Sequence, residues 1–157
     1  TQWSTLFPYT TLFRSILRLT FPASPSAVRE NLARMMAAMP LAGISDSARG
    51  TAEIVLAEVL NNIAEHAYAD KAGPVIVTLR DTARGIGCLV VDQGEPMPGG
   101  WLPDGTLPQQ TGLALADLPE GGFGWHLIRR LTQDLAYTRI AGANRLSFLL
   151  PRGDGLR

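Results

Sequence analysis

The spacing of apolar residues near the N-terminus predicts a strand followed by a helix. Apolar and polar residues alternate along ILRLTF (16–21), as they do in a strand with one buried face. Pro22 and Pro25 then interrupt the pattern, and apolar residues recur at the i, i+3, i+4 spacing in SAVRENLARMMAAM (26–39). This second segment is therefore expected to form a helix with one apolar face.

A long helix and a hairpin are predicted in the middle of the chain. Asp46 is a suitable N-cap for a helix that continues to about Tyr68, and a Gly-Pro pair then ends this region. The β-branched runs VIVTLRD (75–81) and GCLVVD (87–92) are separated by a short turn that contains glycine. Such spacing is typical of an antiparallel hairpin.

The last third of the chain combines a proline-rich segment with a helix and two strands. Residues 95–121 are too irregular for one element, and a loop of this length in a small domain is usually a functional lid. GWHLIRRLTQDL (124–135) predicts an amphipathic helix, and AYTRI (136–140) and RLSFLLP (145–151) predict strands. The sum is an α/β fold, an α+β two-layer sandwich with helices on one face of a mixed, mostly antiparallel sheet.

The length of 157 residues, 46% of them hydrophobic, predicts one domain, which we place at 16–152 with a tail at 153–157. Residues 1–15 differ from the rest in composition, and LFPYTTLFRS (6–15) resembles a translated sequencing adapter. We therefore expect a non-native or disordered leader. The alternative is a genuine extension that forms an edge strand or a dimer arm.

Charge and cysteine content exclude several classes of function. Acidic and basic residues balance at 14 each, so no net field draws the protein to nucleic acid or to an anionic membrane. Cys88 is the only cysteine, which excludes an internal disulfide and a multi-cysteine zinc site. No apolar run is long enough to span a bilayer. These features predict a soluble cytoplasmic protein without a direct nucleic-acid or membrane partner.

The segment EVLNNIAEHAY (58–68) carries three polar residues at successive turns of the long helix. Glu58, Asn62 and His66 are four residues apart, so their side chains project from one face. There a carboxylate can accept the proton of an attacking hydroxyl, an Asn oxygen can join phosphate oxygens around magnesium, and a histidine can donate to a phosphate. A solvated helix face is the alternative for each residue.

A second candidate group ends the apolar strand in VVDQGEPMP (90–98). An ionised aspartate such as Asp92 only accepts hydrogen bonds, so it can receive the exocyclic amine of adenine. Gly94 allows the backbone to approach the base without an intervening side chain. The same D-x-G spacing also occurs in ordinary turns.

A third candidate group precedes the last helix in PEGGFGWHLIRRL (119–131). Gly121, Gly122 and Gly124 free backbone amides to face an anion, and the helix N-terminus adds partial positive charge. Phosphates are therefore expected at this turn, with a flexible loop joined to a helix as the alternative. We expect His126 to pack against the helix rather than contact a phosphate. The segment is neither a Rossmann fingerprint nor a Walker loop.

The order of these three segments resembles the N box and the two glycine boxes of the GHKL, or Bergerat-fold, ATPases. That group includes histidine kinases, gyrase-type ATPases, Hsp90-type chaperones and anti-sigma serine kinases, and the resemblance extends from about residue 16 to 151. Within the group, NNIAEHAY (61–68), GGFGWHLIRRL (121–131) and GANRLSFLLP (142–151) are most similar to the RsbW-type anti-sigma factor serine kinases.

The resemblance implies ATP and Mg²⁺ as cofactors, an ATP lid, and roles for particular residues. Asn62 would hold the magnesium ion, Asp92 the adenine, and Ser147 stands where the family often has a threonine near the adenine. The ATP-binding residues that it implies are Asn62, Asp92, Gly94, Gly122, Phe123, Gly124 and Ser147, and helical spacing adds His66 to this set.

The resemblance also implies a reaction and partners. Glu58 would be the general base that activates a serine or threonine of an anti-sigma antagonist of the STAS type. The kinase would otherwise bind a sigma factor and keep it from RNA polymerase, and a homodimer is expected. The sequence differs from the family in one respect: neither arginine nor lysine occurs between Arg84 and Arg129, so the lid offers no basic contact for the γ-phosphate.

Two other interpretations remain open. One is a catalytically weak regulator that binds protein partners and uses ATP to set its shape, which the absence of basic residues in the lid favours. The other is a detached histidine-kinase ATPase domain. No helical hairpin with a phosphoacceptor histidine precedes the nucleotide segments, which argues against it.

Overall fold

The computed structural model describes residues 15–68, 70–106 and 122–153. The leader before residue 15, most of the predicted lid and the end of the tail lie outside this description. The main elements are β1 (Ile16–Pro22), α1 (Pro25–Ala37), α2 (Asp46–Asn62), β2 (Pro74–Thr82), β3 (Gly85–Asp92), α3 (Gly122–Leu131), β4 (Gln133–Ile140) and β5 (Ala143–Leu150).

The five strands form one sheet in the order β1-β2-β3-β5-β4. Each strand pair in the described residues is antiparallel, so this part of the sheet is not mixed. Helix α2 lies at the centre of the helical layer, and its apolar face packs on alternate residues of the central strands. The predicted α/β architecture is confirmed. The largest fully buried residues of this core include Met35, Leu56, Leu60, Leu79, Phe148 and Leu150.

The N-cap of helix α2 is one residue earlier than the sequence predicted. Ser45 is the N-cap, because its Oγ accepts a hydrogen bond from the backbone N–H of Ala48 at 3.2 Å. The prediction that Asp46 is the N-cap was wrong. Asp46 is the first helical residue, where its negative charge interacts favourably with the helix dipole. The α-helix ends at Asn62 and continues as a π turn, Ile63–Ala67.

Helix α3 is shorter than predicted, because residues 133–135 belong to strand β4 rather than to the helix. The Oγ1 of Thr132 donates to the carbonyl of Ile128 at 2.6 Å at the end of the helix. Asp134 has a φ of 53°, and the β4–β5 register shifts between Gln133 and Ala136. A β-bulge therefore begins where the helical pattern of apolar residues still appeared to continue.

Candidate functional site

A cleft of about 510 Å³ lies between the ends of α2 and α3 and the ends of the central strands. Its lining is mostly apolar, and polar side chains from α2, the π turn, the loop after β3 and strands β3, β4 and β5 also face it. The apolar lining includes Val59, Ile63, Met97, Trp125 and Leu146. The polar lining includes Asn62, His66, Asp92, Glu95, Tyr137 and Asn144. A mostly apolar wall with a few convergent polar groups is the usual composition of a small-molecule site.

Asp92 ends strand β3 and is held in one orientation. Its side chain is buried, and Oδ1 accepts hydrogen bonds from the backbone N–H of Gly94 at 2.9 Å and from Nδ2 of Asn144 at 2.8 Å. Within the described part of the chain both bonds fall on Oδ1, which leaves Oδ2 for a ligand. The carboxylate is thus a fixed acceptor at the wall of the cleft.

Gly94 brings the loop after β3 directly onto the π turn. An added Cβ at this position would overlap the backbone carbonyl of Ala67. The neighbouring Glu95 donates its backbone N–H to the same carbonyl oxygen at 2.9 Å. A side chain at position 94 would therefore push the loop away from the π turn, so this is a place where glycine is required for close approach of two backbones.

Asn144, which the sequence reasoning missed, connects the loop after β3 to the last hairpin. It is directly opposite Asp92 in the β3–β5 register and is buried. Its Nδ2 donates to Asp92 and to the carbonyl of Glu95, each at 2.8 Å. Its Oδ1 accepts from Tyr137 Oη at 2.7 Å and from an Arg139 Nη atom at 2.8 Å. Both ends of the amide are therefore satisfied, although an Asn two residues after Gly142 is typical of a turn in sequence.

Replacing Asn144 with alanine is expected to reduce the free energy of unfolding by about 2–3 kcal/mol, because buried partners such as the Asp92 carboxylate and the Tyr137 hydroxyl lose a hydrogen bond. Urea denaturation measures this loss. Asn61→Ala is the matched control: Asn61 is exposed on α2, and its replacement should change stability by no more than about 0.5 kcal/mol. Equal stability of the two variants would contradict the network.

Tyr68 fixes the beginning of the same loop. Its hydroxyl accepts a hydrogen bond from the backbone N–H of Gln93 at 2.6 Å and donates to the carbonyl of Pro74 at 2.8 Å. Burial raises the pKa of the phenol; the hydrogen bond from Gln93 opposes this, and the nearby Asp92 charge adds to it. The phenol therefore stays protonated and continues to donate its hydrogen bond to the carbonyl of Pro74.

The structure brings Glu58 and Asn62 together with the first turn of α3. A Cβ built on Gly124 would lie 2.5 Å from Oε2 of Glu58 and 3.9 Å from Nδ2 of Asn62. This Nδ2 atom is buried and has no hydrogen-bond partner among the described residues. Because a buried donor without a partner is costly, the amide of Asn62 is poised for a ligand that enters the cleft.

His66 lies in the π turn and lines the cleft, but 68% of its side chain is exposed.

Phe123 on the first turn of α3 is also exposed, with its ring 6.2 Å from that of His126. The Nδ1 atom of His126 is 3.1 Å from the carbonyl of Gly105, so this histidine contacts the segment after the 3₁₀ turn Pro98–Gly100. Gly122 begins α3, and the predicted contribution of Gly121 lies outside the described residues.

Ser147, for which the resemblance implies a position near the adenine, does not share a face of the sheet with Asp92 and Asn144. Ser147 is opposite Leu89 and lies three residues beyond Asn144 on a strand with continuous pairing. Because side chains alternate between the faces of a sheet, Ser147 points away from the face that carries Asn144 and Asp92. It is buried there, and its Oγ has no partner in the described part of the chain. Asn144 instead occupies the position beside Asp92.

Comparison with known proteins agrees with this geometry. A family model described as the histidine kinase-like ATPase domain matches residues 21–149, which is most of the chain. The chain belongs to this ATPase family. No curated protein matches it. Among solved structures, this ATPase domain is similar to the RsbU and RsbW domains of Rv1364c from Mycobacterium tuberculosis, with a TM-score of 0.60 and 17% identity.

That alignment covers 87% of this chain but only 32% of the mycobacterial one, so the ATPase domain spans about a third of the length of its structural neighbour. The likeness supports the GHKL fold that the sequence resemblance implied. No helix in the described ranges is long and apolar enough to cross a membrane.

The residues present fit a magnesium ion that is bound together with a nucleotide. No group of three or more His, Cys, Asp or Glu residues in the described ranges is arranged to hold a metal ion alone. Magnesium in nucleotide sites needs only one or two protein oxygens, because phosphates and water complete its shell. The carboxamide of Asn62 lines the cleft and offers one oxygen ligand and one donor, and its buried nitrogen has no hydrogen-bond partner among the described residues.

Proposed function

We propose that this ATPase domain binds ATP in the cleft, with the adenine beside Asp92 and the phosphates at the first turn of α3. The observation that carries the proposal is the fixed Asp92 carboxylate, whose Oδ1 is occupied by Gly94 and Asn144. A fixed acceptor selects a base that presents an amine, as adenine does. The apolar wall with Val59, Met97 and Leu146 would pack on the base.

The part of the cleft beside Asn62 and the start of α3 suits a triphosphate. The N-terminus of α3 provides backbone N–H groups that have no partner within the helix itself, and a partial positive charge near Asn62. Asn62 would hold magnesium through its carbonyl oxygen, and the ion would neutralise phosphate charge when it is bound. His66 also lines the cleft and can donate to a phosphate oxygen. Gly124 keeps the approach to this end of α2 free of a side chain.

We further propose that the reaction is transfer of the γ-phosphate to a serine or threonine of a protein partner. Glu58 is one turn before Asn62 on α2, and its carboxylate lies beside Gly124 in the first turn of α3. There it could accept the proton of the attacking hydroxyl. The partners expected for an RsbW-type protein are an anti-sigma antagonist of the STAS type and a sigma factor. This assignment rests on the sequence resemblance and on the ATPase family.

Isothermal titration calorimetry with ATP and Mg²⁺ is the experiment that tests ATP binding. We expect saturable binding of one ATP per chain, and weaker binding when magnesium is omitted. Labelled-phosphate transfer from bound ATP to candidate STAS proteins then tests the reaction. Absence of ATP binding would contradict the proposal at its first step.

A second candidate function is an ATP-dependent binding module with little kinase activity. It is favoured by the absence of arginine and lysine between Arg84 and Arg129. Arg129 itself donates through Nε to the carbonyl of Pro103 at 2.7 Å, which holds it on the segment after the 3₁₀ turn. ATP binding without transfer to any STAS protein would support this candidate over the kinase.

A further inference from the structure

The glycine at position 124 is not explained by backbone conformation. Gly124 is the third residue of α3, and its φ is not in the left-handed region that favours glycine. Alanine is a better helix former than glycine, because glycine loses more conformational freedom when a helix forms. The explanation must therefore lie in what a side chain at this position would contact.

The space beside Gly124 is occupied by the carboxylate of Glu58. A Cβ on residue 124 would be 2.5 Å from Oε2 and 3.4 Å from Cδ of Glu58. The first distance is too short for a real contact, so a side chain at position 124 would displace the carboxylate. The amide nitrogen of Asn62 would be an ordinary 3.9 Å away. The conflict is therefore specific to Glu58.

We propose that Gly124 is a positioning residue for Glu58. Its missing Cβ allows the carboxylate to lie on the first turn of α3, beside the place proposed for the phosphates. The inference rests on the proposed function, in which Glu58 takes the proton of the attacking hydroxyl as the hydroxyl oxygen bonds to the γ-phosphorus and ADP leaves. A base must be within hydrogen-bond reach of that proton, so a displacement of about 1 Å lowers the rate strongly.

The test compares Gly124→Ala with Gly50→Ala. Gly50 is an exposed glycine on α2, and no atom lies within 4 Å of a Cβ built there, which makes it a matched control. We expect Gly50→Ala to raise the melting temperature by about 2–4 °C through helix propensity alone. Gly124→Ala should give a smaller rise, because the flexible end of the Glu58 side chain has to move aside. In a Glu58→Ala background the carboxylate is gone, and Gly124→Ala should then give the full rise.

Kinetics supply the second readout, with MgATP as the probe and water as the phosphate acceptor. Under single-turnover conditions Gly124→Ala should reduce the rate of γ-phosphate release about tenfold or more, the effect of a misplaced base. The dissociation constant for MgATP should stay within about twofold of the wild-type value, as a selective effect on Glu58 requires. Gly50→Ala should change neither quantity.

Two results would overturn the inference. One is an equal change in melting temperature for Gly124→Ala with and without Glu58. The other is a parallel loss of MgATP affinity and rate, which would assign Gly124 to phosphate binding. If the wild-type protein fails to bind MgATP, the proposed function is wrong, while the melting comparison still decides whether Gly124 makes room for Glu58.

Discussion

Replacing Asp92 with asparagine is expected to weaken ATP binding about 100-fold, which corresponds to roughly 3 kcal/mol. Gly94 N–H and Asn144 Nδ2 already donate to Oδ1 of this residue. The new amide would keep its oxygen toward these two donors and turn its NH₂ group toward the cleft. An NH₂ group that faces the amine of adenine replaces a charge-assisted hydrogen bond with two unpaired donors.

Calorimetry of ATP binding measures this effect, and Asp46→Asn serves as the control. Asp46 is fully exposed at the start of α2, so its replacement removes the same charge without touching the cleft. The control should bind ATP with wild-type affinity. Wild-type affinity in Asp92→Asn as well would show that the base is not recognised at this carboxylate.

Replacing Glu58 with glutamine is expected to lower the rate of phosphate transfer by about 10²–10⁴-fold, the usual contribution of a general base. The amide is close to the carboxylate in size but cannot accept the proton of the attacking hydroxyl. ATP affinity should change little, because the proposed role of Glu58 concerns the acceptor and not the nucleotide. Single-turnover transfer of labelled phosphate to a STAS acceptor measures the rate.

Glu53→Gln is the matched control for this experiment. Glu53 is exposed on the same helix, five residues before Glu58 and therefore on a different helical face, so its replacement should leave the rate unchanged. An undiminished rate in Glu58→Gln would remove Glu58 from the reaction. It would favour a mechanism in which substrate and phosphates alone organise the transfer.

Strongly periodic segments allowed most elements to be predicted from the sequence. The strand at 16–21 and the hairpin at 75–92 were placed within a few residues, because alternation of β-branched residues has few other interpretations. The end of α3 was misplaced because apolar spacing continues past Leu131, where a bulge starts the next strand. A helix end that depends on tertiary strand pairing leaves no local signal.

The candidate site was predictable only in part, for a similar reason. Glu58 and Asn62 follow from helical spacing, and the structure places both beside Gly124. The neighbour of Asp92 depends on strand register, which pairs it with Asn144 and turns Ser147 to the other face. Register is set by pairing across the sheet. The sequence alone does not show which strands pair with β3, so it does not reveal which residue lies opposite Asp92. The roles of the predicted residues in ATP binding and catalysis stay predictions.

The π turn after α2 brings the end of this helix into contact with the loop after β3. A wider turn shifts the following residues relative to an α-helix, and such turns are frequent at functional sites. Here the carbonyl oxygen of Ala67 accepts a hydrogen bond from the backbone N–H of Glu95. This bond fixes the loop that carries Gly94. The apolar pattern of the sequence predicted one uninterrupted helix to Tyr68 and contained no sign of this widening.

Both ends of the Asn144 amide are hydrogen-bonded within the protein, so the part of the cleft proposed for the base is preorganised. Its polar groups are already ordered and desolvated, and a nucleotide would lose little free energy in arranging them. Under the proposed function, selection among purines would therefore depend on groups that are already fixed. Selection between ATP and ADP would depend on other groups, such as Asn62, whose Nδ2 has no hydrogen-bond partner among the described residues.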